Sequence, residues 1–303
     1  TGIAGLAAIM PPALLEAGAQ DLPGAPGPLT LEETSSGVLL HGTGETLSIA
    51  VLAPDIMHVV ASPRGAKGAS PETPWIIASG DNHKPQVTHA GGKATLRTEK
   101  MSVEIDLEQG LLRFLDADGK ILLQESARVP RRYTPVQVNG ENLYRVDQRF
   151  YPDPLEGIYG LGQHQGGTFD QSGAVIELAQ TNTNVSIPFY VSTLGYGVLW
   201  NTASKSWFDN RFPTELKLTS EASDAIDYYV FYGPSIDRVI QIYRGMTGEA
   251  PLFGRWAYGF VQSKDRYRSA KQLLDIAAEY REKKTPLDFI VQDWFWWERQ
   301  GDP

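Results

Sequence analysis

The chain has 303 residues, enough for one large or two ordinary domains with substantial cores. Its net charge of −9 argues against nucleic acid or an anionic membrane as the main partner, and no apolar run is long enough to span a bilayer. Cysteine is absent, which removes disulfides, thiolate nucleophiles and zinc–thiolate sites together. The chain begins with an apolar stretch, Thr1 to Met10, and Ala17-Gly-Ala19 has the small-x-small spacing of a signal-peptidase site. Residues 1–19 therefore read as the remnant of a signal peptide cleaved after Ala19, which predicts a periplasmic or secreted protein; the competing reading is a short amphipathic helix.

Asp21 to about Leu29 is rich in proline and glycine and reads as a linker. Strands follow. Val38-Leu-Leu, Thr46 to Leu52, Ile56 to Val60, Ala94 to Thr98 and Met101 to Leu107 alternate or run apolar between turn signals. Asp116-Ala-Asp-Gly119 reads as a hairpin turn between Leu111–Leu115 and Ile121–Leu123. Val185 to Val191, Gly197 to Trp200, Glu215 to Leu218 and Ile226 to Tyr232 continue the series. So many short strands without intervening helices predict an antiparallel β-sandwich over residues 20–250. A helix from Ser235 to Tyr243 ends it, with Ser235 as N-cap and Ile236, Val239, Ile240 and Tyr243 on one face.

After Pro251 the pattern changes to βα alternation. A strand within Trp256–Ser263 is followed by a helix whose start is marked by Ser269 and, three residues on, Gln272. Leu273, Leu274, Ala277 and Tyr280 recur at helical spacing, and Phe289-Ile-Val291 is a second, buried strand. Together these form one βαβ unit, with Gln292 and Asp293 where the second strand ends, the edge at which parallel α/β architectures bind ligands.

Several stretches resemble glycoside hydrolase family 31, the retaining α-glycosidases. In the second block they are Trp256-Ala-Tyr-Gly-Phe-Val-Gln-Ser263, Tyr267, Pro286-Leu-Asp288 and Val291-Gln-Asp-Trp-Phe-Trp296. In the first they are Glu156-Gly-Ile-Tyr-Gly-Leu-Gly-Gln-His-Gln-Gly166, Gln180-Thr-Asn-Thr183, Ile187-Pro-Phe189 and Gly195 to Trp200. The pieces recur in the family's order and look most like bacterial α-xylosidases and their α-glucosidase relatives. The resemblance implies a galactose-mutarotase-like sandwich followed by the opening of a (β/α)8 barrel at residues 251–303. It also implies an oligosaccharide or other α-glycoside as partner and no cofactor. The family's two catalytic aspartates sit on later barrel strands, so they are expected beyond Pro303 and the polypeptide as given is expected to be inactive.

The same resemblance makes Asp293 a hydrogen-bond acceptor for hydroxyls of the non-reducing sugar, for which a carboxylate is suited. Trp294 and Trp296 become candidates for an apolar wall against a sugar face, with core packing as the alternative. Asp265, or its neighbour Lys264, falls where relatives place a substrate-facing side chain. Gln163, His164, Gln180 and Asn182 are candidates on sandwich loops over the pocket. His164 follows Gly160-Leu-Gly162, a loop signature rather than a strand interior, and a structural hydrogen bond is its competing role. His41, His58, His83 and His89 stand singly, with no metal-ligand spacing, and the Gly157–Gly162 glycines lack the following helix of a dinucleotide site. An α-glucosidase or α-glucosyltransferase is the alternative within the enzyme class, and a non-catalytic carbohydrate-binding protein is the alternative from another class.

Overall fold

The computed structural model describes residues 28–66, 73, 75–77, 83–293 and 299, with 22–24 by their backbone alone. The proposed signal remnant at 1–19 lies outside them, as do Trp294 and Trp296. Contacts divide the chain into two units, Thr1–Gly248 and Glu249–Pro303.

The first unit is built from three antiparallel sheets. The eight-stranded one runs in the order Ile158–Gln163, Val185–Ser192, Tyr196–Trp200, Ile226–Tyr232, Ile56–Pro63, Glu45–Ala53, Gly37–His41, Thr30–Glu33. A six-stranded sheet orders Leu22–Gly24, Arg131–Val138, Glu141–Phe150, Glu215–Ser223, Ser206–Phe212 and Val175–Leu178. A five-stranded meander joins Gln86–Ala90 to Ile121–Gln124 through Lys93–Arg97, Met101–Asp106 and Leu111–Asp116. The Asp116 hairpin forms as expected: Gly119 has φ 83°, and the Asp116 carboxylate accepts from the backbone N–H groups of Asp118 and Lys120. The expected linker after Asp21 is partly structured instead, since Leu22–Gly24 pairs antiparallel with Arg131–Tyr133 and Leu29 is buried.

Alternation fixes the core. Leu47, Ile49 and Val51 of one strand and Met57, Val59 and Ala61 of its neighbour face inward, against Leu96, Val103, Phe114, Phe150 and Leu218 of the other sheets. The Ile226–Tyr232 strand is buried on both faces. Ile226, Tyr228 and Val230 enter the main core, while Tyr229 and Phe231 face outward under the helix Ile236–Thr247. That helix is capped by Ser235, whose Oγ accepts from Arg238 N at 3.3 Å. Its buried residues are Val239, Ile242 and Met246; of the expected face Val239 is buried, Ile236 and Tyr243 pack half-buried beside it, and Ile240 turns to solvent, each buried side chain contributing about 1.5–3 kcal/mol relative to exposure.

A charged network lies inside the sandwich. The Arg131 guanidinium is fully buried and grips two carboxylates: Nε and Nη2 reach Glu45 at 2.8–3.1 Å, and Nη1 reaches Glu125 at 2.5 and 2.6 Å. Its Nη2 also donates to the carbonyl of Gly110 at 2.7 Å. The remaining carboxylate lone pairs accept from Tyr133 Oη, Gln148 Nε2 and the Leu112 N–H, at 2.9–3.0 Å. Burial alone would push the guanidinium's pKa down, but Glu125 and Glu45 outweigh it and hold the group well above its ordinary value.

In the second unit Val261–Gln262 and Phe289–Ile290 pair in parallel across the helix Ala270–Glu282, so the βαβ unit forms. Ser269 Oγ accepts from Gln272 N at 3.1 Å. The Gln272 side chain closes the turn on Arg268 N, at 2.8 Å, rather than on the cap residue itself. On the helix Leu274 departs from the expected inward stripe and is 65% exposed, whereas Leu273, Ala277 and Tyr280 are half-buried.

Candidate functional site

The Glu156–Gly166 motif is organised by a buried carboxyl. Glu156 accepts from the Tyr196 hydroxyl and, at 3.3 Å, from Asp153 N. Burial pushes its pKa up, and hydrogen bonds from Ser192 and Tyr196 only partly oppose the shift. The folded state therefore holds this proton more tightly than the unfolded one, so the group's contribution to stability falls as pH rises above the ordinary glutamate range. Glu156→Gln keeps the acceptor and removes the titration. Its unfolding midpoint is expected to decline less than wild type's between about pH 5 and about pH 7, read by thermal melts; parallel slopes would refute the assignment.

Gly160-Leu-Gly162 belongs to a strand, not to a loop. Ile158–Gln163 pairs with Val185–Ser192, and the register slips between Gly160 and Gly162. The bulge is made by three consecutive positive φ values, 114° at Gly160, 66° at Leu161 and 97° at Gly162, while the Leu161 side chain is buried. His164 follows the strand end, and its Nε2 lies 2.8 Å from the Leu161 carbonyl oxygen, the structural hydrogen bond weighed against a binding role. Gln163 is exposed beside it.

Gln180 flanks the start of the same partner strand. Its Nε2 donates to the Ser186 carbonyl at 2.7 Å and its Oε1 accepts from Ser186 N at 3.0 Å, so the side chain imitates a ladder pair. This closes the Thr181–Asn184 turn, in which Thr183 has φ 74°, and leaves Asn182 exposed at its tip. Gln180, Ser186, Ile187, Trp75 and Tyr243 line a cleft of about 620 Å³ in this unit. The fold thus brings Gln163, His164, Gln180 and Asn182 to the two sides of Val185-Ser186.

In the second unit Asp293 is half-buried just past the Phe289–Ile290 strand, whose path is extended by a 2.9 Å bond from Val291 N to the Gln262 carbonyl. Asp265 is exposed on the segment that follows the first strand. Of the adjoining polar groups, Gln262, Tyr267 and Gln292 fall in separate family-like stretches, and only the fold joins them, with Tyr280, into one unit. Tyr280 Oη donates to Gln262 Oε1 at 2.6 Å, and Gln262 Nε2 donates to Tyr267 Oη at 3.2 Å.

Residues 46–209 match the glycosyl hydrolase 31 N-terminal galactose mutarotase-like domain, and residues 250–302 match the glycosyl hydrolases family 31 TIM-barrel domain. An α-xylosidase of Saccharolobus solfataricus is 42% identical over 214 residues, 67% of this chain and 28% of that protein. An uncharacterized family 31 glucosidase of Pseudescherichia vulneris is 32% identical over 230 residues, 68% of this chain and 42% of that protein. A family 31 α-xylosidase from a soil metagenome, solved with xylose bound, superposes with a TM-score of 0.79 at 27% identity, over 90% of this chain and 42% of that one. The chain spans less than half the length of each of these relatives. With its mutarotase-like sandwich, its opening barrel unit and matches of this extent, the chain belongs to glycoside hydrolase family 31.

Proposed function

We propose that the protein to which this chain belongs is an exo-acting, retaining α-xylosidase that removes xylose from the non-reducing end of xylo-oligosaccharide side chains. The observation that carries the reading is the 42% identity to an α-xylosidase across two thirds of the chain. In double displacement one carboxylate attacks the anomeric carbon, while a second carboxylic acid protonates the leaving oxygen and then activates water. Neither role is assigned to a residue of this chain. Its own contribution is to hold the sugar: Asp293, at the C-terminal end of a parallel strand, accepts hydrogen bonds from sugar hydroxyls. An α-glucosidase and an isomaltosyltransferase among the relatives support a second reading, an α-glucosidase or α-glucosyltransferase acting on glucose.

The test is release of xylose against glucose from p-nitrophenyl α-xyloside and α-glucoside by the full-length protein. Xylose release is expected, with kcat/KM reduced about 100- to 1000-fold by Asp293→Ala, the loss of two charge-assisted hydrogen bonds. Glucose release alone would move the assignment to the second reading. Sugar binding with release of neither would replace both by a non-catalytic carbohydrate-binding protein.

A further inference from the structure

Around Asp293 the two strand ends are tied to one tyrosine. Gln292, the residue before Asp293, donates from Nε2 to the Tyr267 carbonyl at 3.2 Å. Gln262, at the end of the other strand, donates to the Tyr267 hydroxyl at 3.2 Å and accepts from the helix through Tyr280 Oη at 2.6 Å. Tyr267 is 3% exposed, in a unit whose helix Ala270–Glu282 buries no residue fully. The residue before it, Arg266, has φ 147°, a positive value that a non-glycine residue holds only where its surroundings impose it.

Gln292 and Asp293 are chain neighbours just past the Phe289–Ile290 strand, so a bond that holds Gln292 also restrains the backbone from which the Asp293 side chain departs. We propose that Gln292, anchored on Tyr267, is the positioning residue for Asp293, and that the Tyr267 anchor rather than the strand ladder alone sets where that carboxylate meets the sugar. Only two residue pairs, Val261–Phe289 and Gln262–Ile290, make up the ladder, and it ends before Asp293. The proposal rests on the reading of Asp293 as a sugar contact.

The experiment is a double-mutant cycle on the full-length protein, with KM and kcat for whichever p-nitrophenyl α-glycoside it cleaves, alongside the unfolding midpoint. Gln292→Leu is expected to raise KM about tenfold with little change in the midpoint, a shift of well under 1 Å in a binding group being enough. Gln292→Glu, the same shape without the donor, is expected to match it, which covers the case in which the leucine variant folds poorly. In an Asp293→Asn background the further rise is expected to fall below about twofold, because residues acting through one contact are not additive. Additive effects, or an unchanged KM in both Gln292 variants while Asp293→Asn raises it, would overturn the positioning role and leave the sugar contact standing. An unchanged KM in Asp293→Asn would overturn the sugar contact and the positioning role with it.

Discussion

Arg131→Met is expected to cost about 3–5 kcal/mol of stability, the penalty for breaking a buried ionic network by removing one side of it. Glu45 and Glu125 are both buried, and each takes at least two of its hydrogen bonds from the same guanidinium. Without it, two carboxylates remain in the core with, among the described residues, Tyr133, Gln148 and one backbone N–H to serve them. The network also joins the sheets: Glu45 lies in the eight-stranded sheet, Arg131, Tyr133 and Gln148 in the six-stranded one, and Leu112 in the meander. The measurement is denaturant or thermal unfolding of wild type against Arg131→Met, with Glu45→Gln/Glu125→Gln/Arg131→Met as the third arm. The triple variant removes every charge and is expected to recover part of the loss. A single-variant loss below about 1 kcal/mol would show that the carboxylates find water or other partners, and would sink the account.

Gly162→Ala is the second large effect, expected at about 2–5 kcal/mol from left-handed backbone strain and overpacking together. A Cβ at Gly162 would stand 2.0 Å from the Val185 carbonyl oxygen and 2.9 Å from Ile187 N, both backbone atoms of the paired strand. Neither can turn aside as a side chain can, so the strands must separate at the bulge. His164 is bonded to the Leu161 carbonyl of the same bulge, so its environment is expected to change as well. Gly166, a few residues on, has open space where a Cβ would go and serves as control, with Gly166→Ala expected within about 0.5 kcal/mol of wild type. Equal melting of the two alanine variants would mean that the strand pair opens freely there, and the bulge would lose its claim to be imposed.

Local signals settled much of this fold before any tertiary contact is considered. Ser235 and Ser269 are N-caps because a hydroxyl one residue before a helix meets its orphan N–H groups, a matter of a few adjacent residues. Asp116-Ala-Asp-Gly119 turns the chain for equally local reasons, and the change from period-two to βα patterning places the second unit. Arg131–Val138 and Glu141–Phe150 form a hairpin that the apolar pattern does not announce, because their outer halves are largely exposed and mix apolar with polar residues. Their turn, Asn139-Gly140, with φ values of 50° and 85°, is a strong local sign.

What only the tertiary structure decided is the pairing of polar groups distant in sequence. Glu45 and Arg131 are 86 residues apart, and nothing near either one says that a buried charge awaits it. Gly160-Leu-Gly162 has the composition of a loop, yet it is a bulged strand, because Val185–Ser192 presents a ladder to it. Gln180 reads as a ligand-facing amide, but its amide is spent on Ser186, and it is the fold that leaves Asn182 at the tip. The residues of the candidate site were legible as types, since Asp293 at a strand's end is a local fact. Their support was not: Gln292 reaches Tyr267 across 25 residues, and a hydrogen bond over that span exists only once helix and strands have closed the loop between them.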